Sequence, residues 1–358
     1  MRSTRLEVDL NKFQNNINQI KKLCPNKTIM PVVKANAYGT HINHHIKTLR
    51  QFQIVAVAMV EEGIVLRNVG YEGEIFILNQ PSMTEINDIE EYSLTIGISD
   101  KNFLLECIRN NNSFPVHIEI ETGMNRTGVK LEELNAFMSL ISKSKLKVEG
   151  IYTHLSSADF DKEYTENQIS LFKKALEIVK QHVSNIKYIH VNASNGILNY
   201  PLDFTTLVRP GIIIYGYEPY KGAFNHLDIK PITKYKTNIT FLKKCKKGDA
   251  ISYSQTYICP KDMIVATIPI GYADGFKRIL SNRGFVLIHG IKVPIIGAVC
   301  MDGCMIDVSN IEAKVGDEVI IWDNENITVE EIAECCNTIN YEILSTISDR
   351  VPRVFIEQ

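Results

Sequence analysis

A lysine that closes an apolar run is the first feature of this sequence with chemical potential. In Pro31-Val32-Val33-Lys34-Ala35-Asn36-Ala37-Tyr38-Gly39 the run ends on Lys34. Desolvating an ammonium is costly and lowers its pKa, which is the state a Schiff-base lysine needs. The plainer alternative is a strand-end lysine whose stem lies on apolar surface and whose charge stays in water. Other polar groups also follow apolar runs. Arg126 lies in Glu121-Thr122-Gly123-Met124-Asn125-Arg126-Thr127-Gly128, His154 ends Tyr152-Thr153-His154, a polar stretch runs from His190 to Gly196, and Arg209 precedes Pro210-Gly211. Taken singly, Arg126 reads as a surface cation and His154 as a hydrogen-bonded core histidine. Their shared placement is harder to attribute to packing alone.

The elements that must position these groups alternate. Apolar runs recur at Ile29–Lys34, Ile54–Met59, Glu74–Leu78, Leu94–Ile98, Val116–Ile120, Val148–His154, Tyr188–Val191 and Thr206–Arg209. Helical patterns separate most of them. Asn11 to Leu23 puts Phe13, Ile17, Ile20 and Leu23 on one face, with Asp9 or Asn11 available as cap, and Lys101–Arg109, Leu131–Ser142 and Glu163–Gln181 are the clearest of the rest. Strand-helix alternation repeated in this way predicts an α/β fold, a (β/α)₈ barrel of the TIM type, with a doubly wound open sheet as the rival. In a barrel all the polar loops open on one face, where barrel enzymes keep their sites. Phosphate is often bound there by backbone N–H groups after strands seven and eight, which suits Ala193-Ser194-Asn195-Gly196 and Gly211.

The grammar changes after Pro231. Lys236–Leu242, Ala250–Tyr253, Met263–Pro269, Phe285–Ile288 and Lys292–Val299 are short, β-rich and punctuated by turns, and only Val329–Cys336 reads as a clear helix. Two domains are expected, a barrel over residues 1–230 and a mainly β domain over residues 231–358.

Bulk properties exclude several classes. The 358 residues are 45% hydrophobic and 22% charged, with a net charge of −2. Such a chain lacks the basic footprint of a nucleic-acid binder, and no apolar run approaches the roughly 18–20 residues that span a bilayer. The segment MRSTRLEVDLNKF has no signal-peptide character, and the eight cysteines form no Cys-x-x-Cys pair. Free thiols and a cytoplasmic location are the expectation. His41, His44 and His45 have helix-face spacing but no cysteine or carboxylate nearby in sequence, so no metal site is assigned to them. Trp322 reads as core, and Lys243, Lys244, Lys246 and Lys247 as a solvated turn.

VVKANAYG, ETGMNRTG, YTH, RPGIIIYG, PIGYADGF, the Cys300-Met301-Asp302 segment, Ile339-Asn340-Tyr341-Glu342-Ile343-Leu344 and Arg350-Val351-Pro352-Arg353 together resemble the alanine racemase family, in the family's order and over nearly the whole chain. The resemblance implies a pyridoxal 5′-phosphate enzyme with a barrel and a C-terminal β domain, acting as a head-to-tail homodimer. It implies that Lys34 holds the cofactor and that Tyr272, supplied by the other subunit, is the second base. By the same resemblance Arg209 faces the pyridine nitrogen and His154 bridges that arginine and the tyrosine. Tyr38, Ser194, Gly211, Ile212 and Tyr341 match positions around the cofactor phosphate. Arg126 and the backbone at Met301 match the groups that receive the substrate carboxylate.

Stereochemistry makes the pairing of two bases intelligible. A proton must leave one face of Cα and another arrive on the opposite face, and a single base would restore the starting enantiomer. A tyrosine ordinarily has a pKa of about 10, so it needs cationic neighbours to act as base near neutrality. Three positions depart from the commonest family pattern. Glu119 stands where many members carry a modified lysine, and it is expected to pair with Arg126. Ala298 stands where arginine is frequent, and Thr40-His41 replaces His-Gly.

The expected activity is racemisation of alanine supplying D-alanine for peptidoglycan. A serine or broader racemase is the near alternative, since one hydroxyl or methylene is discriminated by only about 1–3 kcal/mol in such pockets, and Tyr341 is expected to favour a methyl group. A basic-amino-acid decarboxylase is disfavoured by the second base in GYADG. A non-enzymatic cofactor carrier would need neither Tyr272 nor residues 231–358.

Overall fold

The computed structural model describes residues 3–224 and 226–357. Two compact units emerge. One comprises Phe13–Ala37 and His41–Lys230, the other residues 1–12, 38–40 and 231–358.

The first unit is built on eight parallel strands: Thr28–Ile29, Ile54–Val57, Glu74–Ile77, Thr95–Ile98, Pro115–Glu119, Lys147–Tyr152, Tyr188–Ala193 and Leu207–Arg209. Successive strands from the second onward are paired, and the first pairs with the last. Between the first and second strands the ring is nearly closed by a single bridge, Val32 to Ala56. That bridge is flanked by Val33 N–H to Ala56 O at 2.8 Å and Ala56 N–H to Pro31 O at 2.9 Å. The expected (β/α)₈ barrel is therefore formed, and the open-sheet rival is not.

Ile54–Val57 and Thr95–Ile98 are buried at every residue, which is why they read as unbroken apolar runs without alternation. Met30, Val32, Ile54, Ala56, Phe76, Tyr152, Tyr188 and Leu207 form one interior cluster. Helix starts follow ordinary capping chemistry. Asp100 accepts from Phe103 N at 2.7 Å, and Asp161 accepts from Tyr164 N at 2.9 Å. The first barrel strand is shorter than its apolar run suggested. Pro31 has no N–H to give to a ladder, and the backbone turns left-handed just after Lys34.

The second unit is mainly β, as expected. Its nine-stranded sheet runs in the order Phe241–Cys245, Met263–Ile268, Cys304–Asp307, Ile291–Ile296, Phe285–Ile288, Glu318–Trp322, Thr233–Asn238, Arg5–Asp9 and Arg353–Ile356. Thr233–Asn238 alternates buried and half-buried residues, the mark of a sheet with one face on the core. Trp322 is buried, its Nε1 donating to Thr233 Oγ1 at 3.0 Å.

Sequence expectation and structure diverge at three places in this unit. The run Lys236–Leu242 is not one strand but is split between Thr233–Asn238 and Phe241–Cys245. Lys243 and Lys244 belong to the second of these, opposite Val265 and Ile264, and only Lys247-Gly248 turns. A second helix, Asn340–Ser345, follows Val329–Cys335. With six residues it is too short for helical periodicity to show.

Candidate active site

Lys34 leads into a turn that L-residues seldom make. Ala35, Asn36, Ala37 and Tyr38 have φ of 52°, 51°, 55° and 53°, a run of left-handed residues of which only asparagine tolerates that region readily. Local hydrogen bonds tie it down. Ala37 N donates to Val33 O at 2.9 Å, His41 N to Asn36 O at 3.0 Å, and Ile42 N to Asn36 Oδ1 at 2.9 Å. Ala35 N donates to Glu62 Oε1 at 2.6 Å. Burial lowers the Lys34 pKa, the nearby Arg126 lowers it further, and Glu62 acts the other way. The lysine is thus biased toward the neutral amine that nucleophilic chemistry requires.

Arg209, at the end of the last barrel strand, is the largest fully buried side chain among the described residues. Its Nη1 donates to His190 Nδ1 at 2.8 Å, and its Nη2 to Thr153 O at 2.8 Å and Val191 O at 3.0 Å. His154 Nδ1 lies 3.5 Å from the same Nη2. No carboxylate among the described residues lies within ion-pairing distance of Arg209. Burial brings its pKa down to about 10. His154 is brought down to about 3, first by burial and then by the charges of Arg209, Arg126 and Lys34. It is a neutral ring at physiological pH.

A guanidinium only donates, and this fixes the histidine tautomers. His190 Nδ1 must be the acceptor, so its proton sits on Nε2 and is given to His117 Nδ1, 2.9 Å away. His117 then carries its own proton on Nε2. Both rings are fully buried and held neutral, chiefly by burial. His190 stacks on Tyr152 at 4.9 Å, and His117 on Phe76 at 4.4 Å. Gly150 sits opposite His117 in the neighbouring strand. A Cβ there would come within 2.7 Å of the His117 ring, so the absent side chain makes room for the imidazole.

Ser194 and Gly211 are also brought together in this unit, Gly211 N donating to Ser194 Oγ at 3.1 Å, with Ile212 fully buried beside them in sequence. Arg126 is exposed in a loop shaped by Glu121, whose carboxylate accepts from Gly123 N and from Asn125 N. The expected Glu119–Arg126 ion pair is not formed. Glu119 instead accepts from Thr127 Oγ1 at 2.8 Å, and Arg126 acts on the carboxylate only through its charge, outside ion-pairing distance.

Burial dominates the Glu119 environment and raises its pKa. A raised folded-state pKa means that the carboxylate weakens the fold as pH climbs through that value. Glu119→Gln, which keeps an acceptor for Thr127, is therefore expected to stabilise the protein at pH 8 by on the order of 1 kcal/mol. The gain should vanish below the ordinary glutamate range. Urea denaturation at both pH values checks this, and a loss of stability at pH 8 would contradict it.

The second unit holds the remaining expected residues. Tyr38 and Tyr341 face one another with ring centroids 6.2 Å apart, and burial raises the Tyr38 pKa. Tyr272 N donates to Cys300 O, and Ala273 N to Met301 O, both at 3.0 Å. Gly271 allows this approach, since a Cβ there would lie 2.3 Å from Cys300 O. The two side chains so placed are exposed, Tyr272 by 42% and Met301 by 52%. Behind them the fully buried Asp274 accepts from Gly271 N at 3.0 Å and lies 3.7 Å from Arg350 Nε.

The barrel groups suit an anionic cofactor. Lys34, Arg126 and Arg209 each contribute to the electrostatic environment of the same neutral histidine, and among the described residues Glu62 and Glu119 act on Lys34 and Arg209 through their charge without reaching ion-pairing distance. A phosphorylated, phenolic pyridine would satisfy that charge, with Ser194 and the backbone at Gly211 and Ile212 available to its phosphate.

Comparison with known proteins gives concordant results. The sequence matches the family described as "Alanine racemase, N-terminal domain" over residues 8–219 and "Alanine racemase, C-terminal domain" over residues 232–355. A protein named alanine racemase from Halothermothrix orenii is 40% identical over 99% of this chain and 97% of its own length. Alanine racemase 2 of Bacillus subtilis is 36% identical, covering 99% and 95%. Among solved structures, alanine racemase from Bacillus anthracis with bound L-Ala-P superposes with a TM-score of 0.94 at 33% identity, covering 100% of this chain and 96% of that one. The Clostridium difficile enzyme superposes with a TM-score of 0.92 at 33% identity, covering 99% and 96%.

Proposed function

The chain belongs to the alanine racemase family, and on that premise we propose that it is a pyridoxal 5′-phosphate-dependent isomerase interconverting L- and D-alanine. The observation that carries the reading is the convergence of Lys34, Arg209 and Arg126 around a neutral His154, with no carboxylate among the described residues at ion-pairing distance from Lys34 or Arg209.

The bound cofactor supplies an electron sink that makes the Cα proton of an attached amino acid removable. The chain's own residues do the rest. Lys34 holds the cofactor and handles the proton on one face. Tyr272 of the partner subunit handles the proton on the other, which is why the functional form is a homodimer. Arg209, a donor that does not give up its proton, would face the pyridine nitrogen of the bound cofactor and so limit its strength as an electron sink and the side reactions that follow. Tyr38, Ser194, Gly211, Ile212 and Tyr341 are the residues that would hold its phosphate. Arg126 and the Met301 backbone receive the substrate carboxylate. The biological product is D-alanine for peptidoglycan, made in the cytoplasm.

The test is to incubate the cofactor-loaded protein with L-alanine and, separately, D-alanine, and to follow both by chiral chromatography. Both reactions are expected to converge on equal amounts of the enantiomers. D-serine forming faster than D-alanine would overturn the substrate assignment, and cofactor binding without either product would favour a carrier.

A further inference from the structure

Glu62 lies outside every motif that points to the site, yet its carboxylate reaches the residue next to Lys34. It occupies the third position of the helix Val60–Asn68, where a glutamate commonly reaches back to cap the helix start. Its Oε2 does so, accepting from Ala58 N at 2.8 Å and Met59 N at 3.3 Å. Its Oε1 turns outward and accepts from Ala35 N at 2.6 Å, across 27 positions of sequence.

We propose that Glu62 is a positioning residue for Lys34, its carboxylate joining a helix cap in one βα unit of the barrel to the left-handed turn that follows the lysine in another. The turn needs such a tie. Ala35, Ala37 and Tyr38 have no intrinsic preference for the left-handed region, and each pays a steric penalty there. The segment is held at its ends, Val33 N donating to Ala56 O and Arg353 donating to Gly39 O, while the bonds from Ala37 N, His41 N and Ile42 N close within residues 33–42. The Glu62 bond anchors Ala35, and through it the Lys34 backbone, to a rigid neighbouring element. A carboxylate accepting three backbone N–H groups holds its geometry more firmly than a neutral acceptor would.

The inference rests on the reading of Lys34 as the cofactor lysine, and the experiment separates the two. Glu62→Ala removes cap and tie together. Adding Met59→Ser restores the cap alone, because Met59 is half exposed in the extended conformation of a helix N-cap and a serine there accepts from the third-residue N–H. The double variant is expected to regain the thermal midpoint of the parent. Its turnover should stay about tenfold to a hundredfold down with little change in KM, as misplacement of a reacting group produces, and the apo protein should bind pyridoxal phosphate more weakly. Peptide-resolved acylation of apo protein should show Lys34 titrating lower without the Glu62 charge. If Met59→Ser restores turnover and cofactor affinity along with the midpoint, Glu62 is only a helix cap and the proposal fails. It fails equally if Glu62→Ala leaves all readouts unchanged. Should Glu62→Ala not fold, the double variant carries the test. Failure of the parent to bind pyridoxal phosphate would sink the reading of Lys34 instead.

Discussion

Lys34→Ala is expected to abolish racemisation, with a loss of at least about 10⁴-fold, because on the proposed reading the cofactor anchor and one of the two proton-handling groups go together. Lys34→Arg fails as completely, although it keeps the positive charge and most of the length. A guanidinium does not lose its proton near neutral pH and has no free amine to offer. The pair of variants separates chemistry from charge, since a merely electrostatic role for Lys34 would leave the arginine variant largely active. Stability should move the other way. Burial and Arg126 lower the Lys34 pKa, so the folded state resists protonation that the unfolded chain accepts. The resulting penalty is full below the lowered pKa and disappears above the ordinary lysine range. Apo Lys34→Ala is accordingly expected to be at least as resistant to urea as the parent at pH 7, with any advantage shrinking above about pH 10.5. Retained racemisation in either variant, or a marked loss of stability at pH 7 in the alanine variant, would contradict this account.

The sequence makes the barrel readable because its strands are buried on both faces and appear as apolar runs, as at Ile54–Val57 and Thr95–Ile98. Lys34, His154 and Arg209 stand out for the same reason, as polar residues closing such runs. What stays hidden depends on register and loop direction. His117 and His190 meet across the strand between them, and only the opposition of Gly150 to His117 shows that the intervening strand leaves space for a ring. Sequence spacing gives no sign of it beyond a histidine in the middle of an apolar strand. The place of Glu119 in the family pattern and its charge point to Arg126, whereas the fold brings the Thr127 hydroxyl to its carboxylate instead. Glu62 looks like any third-residue glutamate of a helix until Ala35 is found beside it. The signals that fail are those in which two short-range rules compete for one side chain, and fold-level contacts decide between them.

The largest recovery of activity is expected where two inactive proteins are combined. Tyr272→Phe removes the hydroxyl but keeps the ring, and should lower racemisation by about 10²–10⁴-fold. Lys34→Ala is inactive for its own reason. If each site takes Lys34 from one subunit and Tyr272 from the other, a heterodimer of these variants holds one doubly defective site and one intact site. Half of the dimers in an equimolar random mixture are mixed, so about one quarter of wild-type activity should appear from two preparations that separately show almost none. The exposure of Tyr272 and Met301 on neighbouring, mutually hydrogen-bonded segments is what a surface completed by a second copy requires. Differently tagged subunits, unfolded and refolded together and then purified by both tags in succession, isolate the mixed dimer, whose activity per dimer should reach about half that of the parent. If Tyr272 instead served the Lys34 of its own chain, every chain in the mixture would lack one base and no intact site could form. An inactive heterodimer that is demonstrably assembled and cofactor-loaded would therefore exclude the shared site and place both bases in one subunit.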